Sequence, residues 1–317
     1  MTAIAQEANE SSKVRFNPWV ALLMGVVVGT FAAPFIKLAQ QGGLPSPVIA
    51  STRMFVAALV LTPFVLKQYR PQLKALTRRD LVMTMFAGLM LQLHFQFMIF
   101  ALELTTTLIV LVITNTSPLW VAALERIFLK ERLNRLVLVG MFITIFGSVF
   151  IAINSLGGGA GTSSNPLLGA ISALLAALAA ASNLTVGRSV RQKVSLFPYI
   201  WIVFGFGGIL GLIFVGFAGI PLTGHPMNGY FWLVMLILLP QLIGHSAFNF
   251  ALGYITATII SLSSQLLTIT ASIVAYFIFA EIPTISDFIG SIIIAIGVLI
   301  AIFYRNKGKV KPIPSSP

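Results

Sequence analysis

VSLFPYIWIVFGFGGILGLIFVGFAGIPLTGHPMNGYFWLVMLILLPQLIGHSAFNFALGYITATIISLSSQLLTITASIVAYFIFA, residues 194–280, runs for 87 positions without one Asp, Glu, Lys or Arg. No water-facing surface is built from such a stretch. A helix needs about 20 apolar residues at 1.5 Å each to cross the hydrocarbon of a bilayer. Three helices therefore fit, broken at GIPLTGHPMNG (219–229) and near Gly253 and Tyr254.

The rest of the chain reads the same way. Of 317 residues, 57% are hydrophobic and 9% charged, against about 25% charged in soluble domains. Hydropathy and helix breakers predict ten spans, at 19–39, 47–66, 81–103, 106–125, 134–154, 167–187, 199–219, 230–252, 256–280 and 285–304. The apolar run from Leu81 to Leu124 is about twice one membrane thickness, and Glu103 with Thr105, Thr106 and Thr107 is the polar place for it to turn back. The expected fold class is an all-α integral membrane protein of ten transmembrane helices. Residues 1–18 form a polar segment, and the apolar stretch after it is too long for a signal-peptide core, so the first span reads as retained. The chain has no Cys, which excludes disulfides and thiolate metal sites.

A net charge of +12 is what a nucleic-acid partner would call for, but the distribution of charge argues against one. Eighteen of the 20 basic residues fall in the N-terminal segment, in the connections after the second, fourth and sixth spans, and in the tail 305–317. The intervening connections (QQGGLPS, NSLGGGAGTSSN, GIPLTGHPMNG and PTIS) hold none. Basic loops stay on the cytoplasmic side. Both termini are therefore expected in the cytoplasm, with the chain multi-pass in a cytoplasmic (inner) membrane.

The sequence also repeats at an offset of 150: Glu131 with Glu281, Gly140 with Gly290, Gly147 with Gly297, Ile109 with Ile259, and Ala101, Leu102 and Thr106 with Ala251, Leu252 and Thr256. A five-helix unit is odd, so a second copy enters the membrane from the opposite face. Inverted repeats of this kind are a common architecture of secondary transporters. The expected units are a first repeat over 19–154, a Gly/Ser linker over 155–166 on the non-cytoplasmic side, and a second repeat over 167–304.

Two pairs of stretches carry a family likeness: FIKLAQQGGLPSPVIASTRMFVAALVL (35–61) with SPLWVAALERIFLKERLNRLVLVGMFITIFGSVFI (117–151), and FALGYITATIISLSSQ (250–265) with FIFAEIPTISDFIGSIIIAIGVLI (277–300). Over nearly its whole length the chain resembles the drug/metabolite transporter superfamily, specifically its ten-helix transporters with two EamA repeats. Lys37, Arg53, Pro118, Glu131 and Glu281 fall where that pattern carries the same residue types. Two positions depart from it: Thr268 stands where the second repeat usually has Pro, and the third span ends in ALELTT (101–106), which brings in Glu103. The resemblance implies export of a small metabolite and says little about which one.

The residues themselves offer no catalytic constellation, no metal site among His94, His225 and His245, and no cofactor motif. The GGGAG loop (157–161) reads as linker. Polar residues inside spans are costly and tend to face a cavity. The substrate-binding candidates are Asn115, His245, Gln265, Gln96, Asn249, His94, Arg53 and Lys37. Gln241, His245 and Asn249 recur every four residues on one span, Gln92, Gln96 and Glu103 share a face of another, and Asn115 and Gln265 are repeat-related amides. The plainer alternative is that such groups only bond neighbouring helices. Lys37 and Arg53, the two basic residues left inside spans, either attract an anionic substrate group or pair with Glu103, Glu281 or Asp287. Glu131, Glu281 and Pro118 read as structural or capping residues.

The functional expectation is a secondary transporter for an amino acid or related amphipathic metabolite, working by alternating access in the lipid bilayer, with protons as a candidate coupling ion. A membrane enzyme or flippase acting on lipid-linked substrates is the alternative. It lacks the acidic, metal-binding or His-rich cluster that such chemistry needs.

Overall fold

The computed structural model describes residues 16–105, 110, 113–130, 134–154, 165–279 and 285–304, and every regular element among them is helical. In chain order these are α1 (Pro18–Gly29), α2 (Ala32–Gln41), α3 (Ser46–Gln68), α4 (Arg70–Ala75), α5 (Arg78–Leu104), α6 (Ser117–Leu124), α7 (Arg135–Asn154), α8 (Pro166–Arg191), α9 (Leu196–Phe217), α10 (Met227–Leu236), α11 (Ser246–Leu252), α12 (Ala257–Ser264), α13 (Leu266–Phe279) and α14 (Ile285–Phe303). Short π-helical segments follow α6 (Glu125–Leu129) and join α10 to α11 (Ile237–His245). Among the described residues six stretches are long and apolar enough to cross a membrane: Pro18–Gln41, Ser46–Gln68, Arg78–Ala101, Pro166–Arg191, Leu196–Phe217 and Met227–Leu252. Arg135–Ile151 and Phe288–Phe303 are shorter apolar helices.

The helix starts follow from local chemistry. Pro18 and Pro166 open their helices where a missing N–H costs nothing. The side chains of Asn17, Thr77 and Asn165 cap them by accepting from Trp19 N, Asp80 N and Leu168 N at 2.9, 3.1 and 3.1 Å. Breaks within the apolar runs also have causes. Pro34 has no N–H to give the carbonyl of Thr30, and α1 ends there. Pro240 removes another bond inside the π segment, which widens the helix and turns the residues after it.

Glycine lets the helices approach closely, as in membrane bundles generally. A methyl group built on Gly140 of α7 would lie 2.5 Å from the carbonyl oxygen of Gly297 on α14, and one on Gly147 would lie 3.0 Å from that of Gly290. The pairing reverses along the two helices, so α7 and α14 run antiparallel. On α9, Gly205, Gly208 and Gly211 meet Ala58, Phe55 and Ser51 of α3 in the same reversed order. Likewise Gly25 and Gly29 of α1 meet Phe248 and approach Gly244. The outside of this bundle is apolar, with Phe142 and Phe146 on α7 and Ile292, Ile296 and Leu299 on α14 all exposed. The inside holds Arg53, Gln92, Arg191, Gln241 and Gln265. These polar groups are set in an interior that is otherwise mostly apolar.

One sequence expectation needs correcting. The sixth span was expected to end at 187, with Arg188 and Arg191 in a connecting loop. Helix α8 instead continues to Arg191, and both arginines are buried. Arg191 Nε donates to Asn249 O at 2.9 Å, its Nη1 bonds to Val194 O, and Arg188 Nη1 donates to Leu252 O at 3.0 Å. Backbone carbonyls accept from both guanidinium groups inside the bundle, and the helix runs on.

Candidate functional site

The centre of the molecule is organised around Phe95, on α5 at 8% exposure. The guanidinium carbon of Arg53, on α3, lies 3.7 Å from its ring centroid. His94 and His245 approach the same ring, with centroids 5.2 and 6.1 Å away, the latter edge-on. His94 Nδ1 is 2.9 Å from the carbonyl of Ala176 on α8. A carbonyl only accepts, so Nδ1 carries the hydrogen, and Nε2 of the neutral ring is left as an acceptor. His245 reaches Phe95 from the end of the π segment that Pro240 creates. Such segments recur at functional positions.

Arg53 is only 4% exposed, and its Nε and Nη2 are buried without a hydrogen-bond partner. Stacking on Phe95 contributes about 0.5–2 kcal/mol, well short of what burying a charge costs. One turn before His245, Gln241 is 1% exposed and neither of its amide atoms is bonded. Two residues before Arg53, Ser51 Oγ accepts from the side-chain amides of Gln92 and Gln96, both at 3.3 Å, which ties α3 to α5.

A second feature joins the repeat-related amides. Helical residues reach Thr114, a turn occupies Asn115 and Thr116, and α6 begins at Ser117 with Pro118 buried in its first turn. At the equivalent place, Gln265 interrupts the helix between α12 and α13. Both breaks close with i→i−3 bonds, Thr116 N to Ile113 O and Gln265 N to Leu262 O, each 3.1 Å. Gln265 Nε2 points at the carbonyl of Asn115 at 3.5 Å.

A third cluster locks the end of the bundle that carries the basic connections. Glu125 is fully buried and accepts from Ala257 N, Thr258 N and Thr258 Oγ1 at 2.6, 3.0 and 2.6 Å, capping α12 from a different helix. Arg188 and Arg191 do the converse for α11 by donating to its last carbonyls.

The structure thus gathers Arg53, His94 and His245 on Phe95, links Gln96 through Ser51, and pairs Asn115 with Gln265. Asn249 is tied into the helix frame instead: its side chain donates to His245 O at 2.8 Å and its carbonyl takes Arg191. Lys37 lies exposed on α2 and is not among the residues touching Phe95. Glu131 and Glu281 lie outside the described residues, as do the side chains of Glu103 and Asp287. Among the described residues no three His, Cys, Asp or Glu side chains are placed to hold a metal ion. Phe95, Ser51, Glu125 and Arg191 were not foreseen as contributors. The signal for Phe95 was its place between His94 and Gln96 in LHFQF (93–97), an aromatic flanked by polar residues where a lipid-facing helix has none.

The cluster brings a guanidinium, two imidazoles and side-chain amides together around one aromatic ring. An apolar exterior, polar side chains among the buried ones and helices of crossing length define a multi-pass membrane protein. The sequence profile of the EamA-like transporter family matches twice, over residues 17–153 and 167–303, and the chain belongs to that family. It is 24% identical over 290 residues to the uncharacterized transporter YdfC of Bacillus subtilis (strain 168), covering 90% of each chain. It is 22% identical over 286 residues to an uncharacterized transporter of Clostridium kluyveri, covering 88% of this chain and 90% of that one. A crystal structure of a protein 14% identical superposes with a TM-score of 0.76 over 91% of this chain and 97% of that one.

Proposed function

We propose that the protein is a secondary transporter that moves a small metabolite, an amino acid or a related amphipathic compound, out across the cytoplasmic membrane by alternating access of two inverted five-helix halves. The observation that carries the reading is the matched interruption at Asn115–Thr116 and Gln265, 150 residues apart, where two amide-bearing breaks meet. Irregular backbone inside a membrane is tolerated only where protein or a cavity meets it, and paired broken helices mark transporter sites. The pattern of helix partners supports the same plan. If α1–α2 corresponds to α8, α3 to α9, α5 to the run α10–α11, and α7 to α14, the contact of α5 with α8 has its counterpart in that of α1 with the π segment and α11. The antiparallel seams α3–α9 and α7–α14 each join an element to its own equivalent. In this reading there are ten spans, and both termini and the basic connections face the cytoplasm.

Alternation requires the cytoplasmic end to open and close. The contacts of Glu125 with α12 and of Arg188 and Arg191 with α11 close it here. Protons are the coupling ion of choice for such a chain.

The test is counterflow in proteoliposomes loaded with a mixture of amino acids and related organic acids and amines, with and without a pH gradient. Protein-dependent exchange of at least one component is expected. A correctly folded protein that exchanges none of them ends the proposal.

A further inference from the structure

We infer that the Nε–Nη2 edge of Arg53 is the anchor for a single carboxylate group on the transported molecule. The inference rests on the transport reading for what happens to that molecule, but not for its binding.

The argument starts from which atoms are unbonded. Nε–H and the nearer hydrogen of Nη2 point the same way from the guanidinium plane and form a two-donor fork. That fork matches the two oxygens of a carboxylate. These are the two nitrogens of Arg53 that are buried without a partner. The structural arginines are tied down by carbonyls, Arg188 through its Nη1 on Leu252 O. Arg191, at 1% exposure, spends its Nε on Asn249 O and its Nη1 on Val194 O. Arg53, at 4%, has an aromatic ring against its face and nothing on its edge. Stacking on Phe95 fixes the plane of the guanidinium, so the fork is held ready before a ligand arrives.

The surroundings set the charge and shape of the ligand. Ala176 O takes the hydrogen of His94 Nδ1 and fixes that ring against Phe95, and an imidazole, unlike a guanidinium, carries no permanent charge. Arg53 supplies the one fixed charge of the cluster among the described residues, which suits a monoanion and not a phosphate dianion. The ring of His245 packs T-shaped against the same Phe95 and adds a second aromatic group to the cluster.

The experiment uses matched pairs of simple probes. Purified wild-type protein in detergent is melted in millimolar sodium acetate, propionate, benzoate and amino acids, and in the corresponding primary amides. At least one carboxylate is expected to raise Tm while its amide does not. In Arg53→Gln that carboxylate should bind about 10- to 100-fold more weakly, and Arg53→Lys, which keeps the charge but loses the fork, should fall between. Equal effects of carboxylates and amides on wild type overturn the inference, as does unchanged carboxylate binding in either variant. If Arg53→Gln does not fold, the wild-type comparison and Arg53→Lys decide. The stabilising carboxylate is then offered in proteoliposomes. Binding that depends on Arg53 without flux sinks the transport reading and leaves the anchor. Flux that Arg53→Lys leaves unchanged does the reverse.

Discussion

The carboxylate of Glu125 accepts both the backbone N–H and the hydroxyl of Thr258, at 3.0 and 2.6 Å, across a sequence separation of 133. A side chain from the end of one helix thus serves as the N-terminal cap of another, and it takes the N–H of Ala257 as well. Glu125→Ala strands two buried backbone donors and is expected to destabilise the protein by about 2–4 kcal/mol. Glu125→Gln keeps one acceptor oxygen and should cost about half of that. Thr258→Val should cost about 1 kcal/mol in wild type and much less in the Glu125→Ala background. Thermal melts of the four proteins in one detergent check the set. Equal Tm values for wild type and Glu125→Ala would remove the cap from the account.

Gly140 and Gly297 give a test of the packing. Gly140→Val drives a branched side chain into the Gly297 carbonyl and should cost about 1–3 kcal/mol or more. Gly216 on α9 has nothing within 4 Å of a methyl group placed there. Gly216→Ala should therefore be neutral, or stabilising by up to about 1 kcal/mol through lower chain entropy. Loss of folded yield for the second substitution and not the first would contradict the packing.

Asn115→Ala, Gln265→Ala and His245→Ala are each expected to lower transport by about tenfold while membrane expression stays within about twofold of wild type, because they line the proposed site rather than hold the frame. Arg191→Ala is expected to behave oppositely, losing expression through the carbonyls of Asn249 and Val194 that it leaves unpaired. Flux normalised to protein in the vesicles separates the two patterns. Normal flux in all three of the first variants means that the site lies elsewhere.

Reporter fusions test orientation. Fusions at residues 160 and 225 are expected outside the cytoplasm, and those at 72, 130, 192 and 310 inside, following the segregation of Lys and Arg. A cytoplasmic signal at 160 would undo the inverted arrangement and with it the alternating-access proposal.

The helical character of the chain was open to reading because charge-free runs of crossing length admit little else in a bilayer. The glycines at 140, 147, 290 and 297 announced themselves by their spacing, yet only the packed structure shows Gly140 meeting Gly297 rather than its own equivalent, Gly290. Pro118, without an N–H for the carbonyl of Thr114, was a signal for the break at Asn115, but the one at Gln265 was not legible, since no Pro or Gly follows in the next turn and the interruption depends on partners far along the chain. Arg188 and Arg191 were misplaced for a related reason. Hydropathy treats an arginine as a boundary, and it has no means of seeing the carbonyls of α11 that accept one inside. Within the candidate site, the polar residues stood out one at a time. Their assembly on Phe95 did not, because its polar neighbours in LHFQF single out that ring without showing which residues of α3 and the π segment lie across from it.

The glycine seam between α7 and α14 has a mechanical consequence. At these glycines backbone meets backbone, and the side chains of Thr144, Ile151 and Ile294 are locked between the turns. The two helices can neither part nor slide without opening a void along the contact, and close-packed interiors resist that. Rolling about the line of contact remains open to them. Such a line is a fulcrum. Under the proposed alternation, a rotation small enough to leave Gly140 on Gly297 and Gly147 on Gly290 grows into a displacement proportional to distance from the seam, so the ends of the bundle swing while the seam keeps its register.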